Sequence, residues 1–290
     1  MIQSAMRSSG IRMSDSRKNE FISDGIQIAR KTVKYSLCTT SYNAIETIRK
    51  SIDSLLTQLS DGCELVVVDN ASTDGTLDVL KELEAEGKLR LIIQKCTRGQ
   101  GRQLAFQNAS GEYIIDQIDL DDFYWPILND IIQIYHQKFE GMFLLCRAFL
   151  IAPRKIIQDL GGWRNLQWGE DRDLWIRAAA AGKLIFLPIE TRSYIKPHGY
   201  SKSTWRRVKY QYERARDCYR IGMNPITEHS SITNSIVIRF LAALGYVRSR
   251  FMERYGEVKP ELNQNNFVPS QLFGKKEVTL DEVKALSTLG

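Results

Sequence analysis

The sequence predicts an α/β fold: a mostly parallel sheet flanked by helices, with a helical, basic extension towards the C-terminal end. Three observations carry this reading. Short apolar runs, "VKYSLC", "ELVVVD", "KLRLII" and "GEYII", alternate with amphipathic stretches, the pattern of strands joined by crossover helices. Each run ends in a polar loop, and ligands of such sheets bind beyond the carboxyl ends of the strands. From Lys202 to Arg220 there are seven Lys or Arg against two acids, at roughly helical spacing.

The elements follow in order. Residues 1–32 lack clear periodicity and read as a flexible lead-in. From Val33, "VKYSLC" forms a strand ending in "TTSYN", and Ile45, Ile48, Ile52, Leu55, Leu56 and Leu59 make one apolar helical face. "ELVVVD" is a buried strand, followed by the turn "NASTDGT" and a helix through Leu77, Leu80 and Leu83. "KLRLII" is the third strand, the loop "RGQG" opens another helix, and "GEYII" leads into "DQIDLDD". Farther on, "FLLCRAFLI" reads as one strand, Pro153 starts a short helix that stops at Gly161-Gly162, and "WRNLQWGEDRDLWIRAAAAG" is a loop feeding a helix. "KLIFLPI" is a last strand, and periodicity fades from about residue 255. The domain reading is therefore a lead-in over 1–32, an α/β domain over 33–202 with halves at 33–122 and 123–202, and an extension over 203–290.

The chain has 290 residues, 43% of them hydrophobic, which is ample for a packed core. Its net charge of +6 suits anionic partners such as phosphorylated small molecules. Five scattered cysteines without a CxxC pair read as free thiols of a reducing compartment. The polar first 20 residues lack the apolar middle of a secretory signal, and no apolar run suffices to span a bilayer. A cytoplasmic location is expected, peripheral to the inner face of the membrane if the basic stretch docks there.

The chemistry concentrates in "DQIDLDD". Carboxylates Asp119, Asp121 and Asp122 at a strand end repel one another unless a cation is present, and hard ions such as Mg²⁺ or Mn²⁺ bridge such acids to a diphosphate. The structural alternative is a solvated turn in which Asp122 caps the next helix near Pro126. Asp69, at the tip of "VVVD", is placed to accept a hydrogen bond from a base or ribose, or else closes an Asx-turn. Asp74-Gly75-Thr76 fits turn and cap chemistry.

Together "TTSYN", "VVVDNASTDGT", "GQGRQ", "GEYIIDQIDLDD" and "GGWRNLQWGEDRDLWIRAAAAG" resemble, in order, the motifs of family 2 glycosyltransferases of the GT-A (Rossmann-like) fold; the resemblance covers about residues 33–200. It implies inverting transfer of a sugar from a UDP- or GDP-type donor to a glycan, lipid-linked or protein acceptor, assisted by Mn²⁺ or Mg²⁺. By resemblance, Thr40, Tyr42, Asp69 and Arg102 lie beside the nucleotide. Asp119 and Asp121 match the first and last acids of the D-x-D motif, Asp121 being the stronger metal ligand. Asp171 matches the catalytic base, with Glu170 as its alternate, and His198 stands where some GT-A enzymes have a third metal ligand. Trp163 and Trp168 are candidates for stacking on an acceptor, or are core. The interval from "GEY" to the first matched Asp is one residue longer than the family pattern, with Asp116 as an extra acid; either the strand bulges or the metal pair shifts by one. Gln103 stands where the family often has Asn.

Two other classes are open. The basic, aromatic stretch "KSTWRRVKYQYERARDCYR" suits a nucleic-acid-binding module or contact with an anionic membrane, but no nucleic-acid motif accompanies it. A metal-dependent nucleotidyltransferase also uses paired acids on an α/β sheet, yet leaves "GED" without a role. An ordinary helical hairpin capping the sheet is the structural reading of the same region.

Overall fold

The four apolar runs become four parallel strands. The computed structural model describes residues 34–195, 204–224, 236–255 and 267–286, so the lead-in expected over 1–32 lies outside the described residues. β1 (Tyr35–Ser41), β2 (Cys63–Asp69), β3 (Arg90–Ile93) and β4 (Tyr113–Asp119) pair in the order β3-β2-β1-β4. Helices α1 (Ile48–Leu56), α2 (Thr76–Ala85) and α3 (Arg98–Asn108) make the crossovers. β2 shows why both sheet faces are dry. Leu65 and Val67 join one core layer with Ile52 and Leu80, while Val66 and Val68 join the other with Phe106 and Ala105, as the two-residue strand period requires.

The second half departs from the sequence expectation in two places. "FLLCRAFLI" is not one strand but two, β6 (Phe143–Leu145) and β7 (Leu150–Pro153), reversed where the Cys146 amide donates to the Phe149 carbonyl at 2.8 Å. β7 runs antiparallel to β4 and β6, and β8 (Leu184–Phe186) runs parallel to β6 at the edge. Asp122 does not cap a helix. It opens β5 (Asp122–Tyr124), which pairs with β9 (Arg192–Tyr194) in a separate two-stranded sheet, and α4 (Leu128–Ile134) starts only afterwards.

β4 contains the extra residue that the spacing pointed to. Its pairing with β1 slips between Leu37 and Thr39, so that Leu37 opposes Ile115 whereas Thr39 opposes Ile118. Gln117 carries the bulge with φ +65, a left-handed conformation uncommon for a side-chain-bearing residue. The bulge inverts the alternation: Ile115 and Ile118 both enter the same core layer. Asp116 and Asp119, three apart, would point to opposite faces of a regular strand and here share one.

α5 (Arg154–Asp159) and α6 (Glu170–Ala180) follow β7, and α7 (Thr204–Arg220) packs against α8 (Ile236–Ser249). Beyond residue 266 the tail is not a loose extension. Leu272, Val278, Val283 and Leu286 enter the core layer beside α4, with α9 (Leu280–Lys284) capped by Thr279 and Glu282. This segment is too short for periodicity to mark it. The described residues, from 34 to 286, belong to one compact unit.

Glu64 ties this sheet to the turn before β4. Burial alone would raise its pKa, but donors from Ser36 Oγ at 2.5 Å, Ser110 N at 2.6 Å and Ser110 Oγ at 2.9 Å hold it below the ordinary glutamate value. A carboxylate held down in the folded state stabilises above its unfolded pKa and stops doing so as pH falls through the folded one. Glu64→Gln is expected to cost about 1 kcal/mol at pH 7, discounted for partial exposure, and less at pH 3. Urea unfolding of both proteins at the two pH values checks this.

Candidate active site

The site is built around α3. Its N-cap is Thr97, whose hydroxyl accepts from Gln100 N while the Gln100 side chain accepts from Thr97 N, a reciprocal capping box. The expected "RGQG" loop is thus the first turn of the helix itself. The glycines serve close approach: a Cβ on Gly99 would lie 2.0 Å from the Arg164 carbonyl oxygen, and one on Gly101 would lie 2.7 Å from Thr40 Cγ2. The helix is pressed between the end of β1 and the loop before α6.

That position drives Arg102 inward. Its side chain is 1% exposed, and its guanidinium meets carboxylates from two directions. From β4 come Asp116, which accepts from Nη1, and Asp119, whose Oδ1 lies 3.4 Å from Nη2. From α6 come Asp171, Oδ2 at 3.0 Å from Nη2, and Glu170, Oε1 at 3.5 Å from Nε. Burial works against the charge of Arg102, but the carboxylates, led by Asp171 and Asp116, hold its pKa well above the usual value. Burial in turn pushes Asp116 and Glu170 each up to about 7; Arg102 opposes this rise at Asp116 and Arg98 with Arg102 at Glu170, while Asp171 adds to both.

Glu170 and Asp171 start α6, with Gly169 at φ +75 turning the chain into it. Asp171 is partly exposed and is held at both oxygens, Oδ1 accepting from Trp163 Nε1 at 3.0 Å. Glu170, by contrast, is 2% exposed, beneath Arg98 and Arg102. The loop before them is fixed from three sides. Gln103 accepts from Trp163 N at 2.9 Å, Arg177 donates to the Leu160 and Gly162 carbonyls, and the buried Asp217 of α7 accepts from Gln167 N at 2.7 Å and Trp168 N at 3.2 Å. Trp163 is itself buried against Phe106, so its indole has no face for an acceptor; it orients Asp171 instead. Trp168 is half-buried and donates to the Tyr210 hydroxyl at 3.0 Å.

Three acids close the other side. Asp119, Asp121 and Asp122 each offer an oxygen within 4.8 Å of the others. Asp121 is exposed and Asp119 half-exposed, while Asp122 is buried and paired with Arg192, which also lies 3.7 Å from Asp119. Burial pushes Asp122 up to about 6 against that arginine, and its Oδ1 has no hydrogen-bond partner among the described residues. An all-oxygen set with an orphaned carboxylate oxygen fits a hard divalent cation. Tyr124 fixes the backbone here: its hydroxyl accepts from Asp119 N at 2.8 Å and donates to the Asp119 carbonyl at 3.2 Å. His198 lies outside the described residues.

The strand register lines up the remaining candidates. Thr40 is opposite Asp119 across one ladder and Ser41 is opposite Asp69 across the other. Asp69 is buried and accepts from Ser72 N and Ser72 Oγ, both at 2.7 Å, so it closes the Asx-turn. Tyr42 stands exposed beyond β1. Sequence reasoning missed Asp116 and Arg192 as members of the site; Asp116 was visible only as a surplus acid, and Arg192 had no motif. The basic stretch of α7 turns partly inward. Arg214 and Arg220 are buried, and Arg216 and Arg220 pair with Asp217.

Without Arg102, two buried acids lose their counter-charge. Arg102→Met is expected to destabilise the protein by about 3–5 kcal/mol near pH 8. The loss should shrink at pH 5, where Asp116 and Glu170 are protonated and no longer need the cation; urea titrations at both pH values read the difference.

Residues 36–137 match glycosyl transferase family 2. An Escherichia coli UDP-Glc:alpha-D-GlcNAc-diphosphoundecaprenol beta-1,3-glucosyltransferase is 29% identical over 123 residues, 42% of this chain and 48% of that one. The chain spans between 15% and 48% of the length of curated relatives such as this one. Among solved structures, S. aureus TarS 1–349 in complex with UDP-GlcNAc superposes with a TM-score of 0.54 at 16% identity, covering 87% of each chain. The mannosyltransferase PcManGT from Pyrobaculum calidifontis, in complex with GDP-Man and Mn²⁺, gives 0.51 at 17% identity, covering 75% of this chain and 69% of that one. Over residues 36–137 the chain thus matches glycosyl transferase family 2, and its described residues share the GT-A-like fold of these structures.

Proposed function

We propose that the chain is an inverting glycosyltransferase that moves a sugar from a nucleotide diphosphate to an acceptor hydroxyl or phosphate. One observation supports it above the rest: a single nitrogen, Arg102 Nη2, faces both Asp119 of the acidic edge and Asp171 of α6. A donor diphosphate at that edge and an acceptor at Asp171 then meet across one guanidinium. Residues 33–122 hold the donor and 123–202 the acceptor.

Asp119 and Asp121 are the residues proposed to hold Mn²⁺ or Mg²⁺, which when bound offsets charge developing on the departing diphosphate. Thr40, Tyr42 and Asp69 are proposed to border the nucleotide. Asp171 is the proposed base, because it is reached from solvent and oriented by Trp163 and Arg102, as general-base catalysis requires. Burial beneath two arginines argues against Glu170 in that part. Trp168 is kept as an acceptor contact, beside Tyr210. Five free thiols and a nucleotide-sugar donor both fit a cytoplasmic location. The lipid-linked diphosphate in the E. coli relative's name supports an acceptor of that class. The inward pairing of Arg216 and Arg220 favours this reading over a nucleic-acid module.

Two substitutions separate donor binding from chemistry. Asp121→Ala is expected to weaken Mn²⁺-dependent UDP- or GDP-sugar binding by at least about tenfold in calorimetry. Asp171→Asn is expected to keep donor binding while transfer falls about 10²- to 10⁴-fold. A panel of nucleotide sugars screened by mass spectrometry for slow donor hydrolysis supplies the assay. Near-normal transfer by Asp171→Asn would sink the base assignment.

A further inference from the structure

α8 has two apolar faces, and among the described residues one of them is buried. Leu241, Ala242 and Ser249 are buried, and between them Gly245 meets α7 so closely that a Cβ there would lie 2.7 Å from Arg216 N and 3.1 Å from Ala215 Cβ. That contact completes the inner face. On the outer face Ile236, Val237, Phe240, Leu244 and Val247 are exposed, from 43% to 84%, and Phe251 continues the line just past the helix at 79%. At 100° per residue the five helical side chains fall within an arc of about 100°. Arg239 and Arg250 border the arc on one side and Arg248 on the other, all exposed. No Asp or Glu occurs from Ile236 to Met252.

We propose that this outer face of α8 seats on an anionic lipid surface, with the helix lying in the plane of the interface. An apolar stripe bordered on both sides by arginines is the pattern of an interfacial helix: the stripe enters the acyl boundary and the guanidiniums stay with anionic headgroups. A second copy of the chain is a poorer occupant. A two-fold contact would bring this acid-free, arginine-bordered face against its own image, with like charges opposed. Crossing the bilayer is excluded for α8, since among the described residues no helix is long and apolar enough. The seat is also coupled to the site. α7, which α8 grips at Gly245, holds the loop before Glu170 through Asp217. Where the proposed acceptor is lipid-linked, the same helix pair sets the height of Asp171 above the membrane; the docking itself does not depend on the transferase reading.

The test is co-sedimentation of the full chain with phosphatidylcholine vesicles, with or without about a third phosphatidylglycerol. The chain is expected to pellet with the anionic vesicles and to remain largely in solution with the neutral ones. The double variant Phe240→Ser with Val247→Ser, whose side chains are exposed, is expected to bind at least about tenfold more weakly. Arg248→Gln and Arg250→Gln are expected to lose about fivefold each, an effect that high salt removes. Unchanged melting temperature and donor hydrolysis show that the variants are folded. Serine-variant binding equal to that of the parent chain overturns the proposal. So does a parent chain that ignores both vesicle types, or that dimerises through this face in analytical ultracentrifugation. Vesicle binding is read without any acceptor, so failure of the transferase reading leaves it standing.

Discussion

A guanidinium in a protein interior survives only when carboxylates surround it, and those carboxylates survive burial only because of it. Arg102 and its four acids form such a mutual arrangement. Much of the local architecture serves that arrangement. Gly99 and Gly101 let α3 come close enough to sink Arg102, the bulge at Gln117 turns two acids of β4 towards it, and Gly169 starts α6 where two more acids reach it. Removing any of these features would leave charge in the interior without its partner. The arrangement is costly as a stabilising device, since hydrophobic replacements of buried ion clusters are often at least as stable. Its retention is better understood as positioning: one rigid cation holds the strand-end acids and the helix-start acids in a common frame.

The electrostatic balance bears on the ligand. Around the site lie six carboxylates, Asp116, Asp119, Asp121, Asp122, Glu170 and Asp171, against the guanidiniums of Arg98, Arg102 and Arg192. Burial relieves part of the excess by favouring protonation at Asp116, Glu170 and Asp122. The exposed part of the excess sits at Asp119 and Asp121. A diphosphate brought there adds further negative charge, so the edge suits a ligand that arrives with a divalent cation.

The sequence made the sheet legible because β2 and its neighbours are short apolar runs of the right length between turn residues. Asp119 and Asp121 stood out because acids clustered at a strand end are conspicuous after an apolar run, whereas Asp171 was marked by the resemblance of "GED" to a family motif. What periodicity does not encode is how elements meet. "RGQG" has turn composition, yet its glycines lie within a helix because a neighbouring backbone passes too close for a side chain. "FLLCRAFLI" is apolar throughout, so nothing in its pattern marks the reversal after Cys146. Trp163 looks like a ligand-stacking residue until its burial against Phe106 is seen. Asp116 was noticed as a surplus acid, but its role depends on a dihedral angle at the next residue and on an arginine 14 positions earlier.

The tyrosine clasp on β5 has a further consequence. Tyr124 binds both the amide and the carbonyl of Asp119, closing residues 119–124 into a small ring of chain. A carboxylate on an open loop must surrender conformational freedom whenever it takes a ligand, and that loss is subtracted from affinity. Here the fold has already removed the freedom at Asp119. Recognition at this edge should therefore be governed by charge and ionic radius rather than by ordering, giving selectivity among divalent ions with little of the entropy signature that accompanies loop closure.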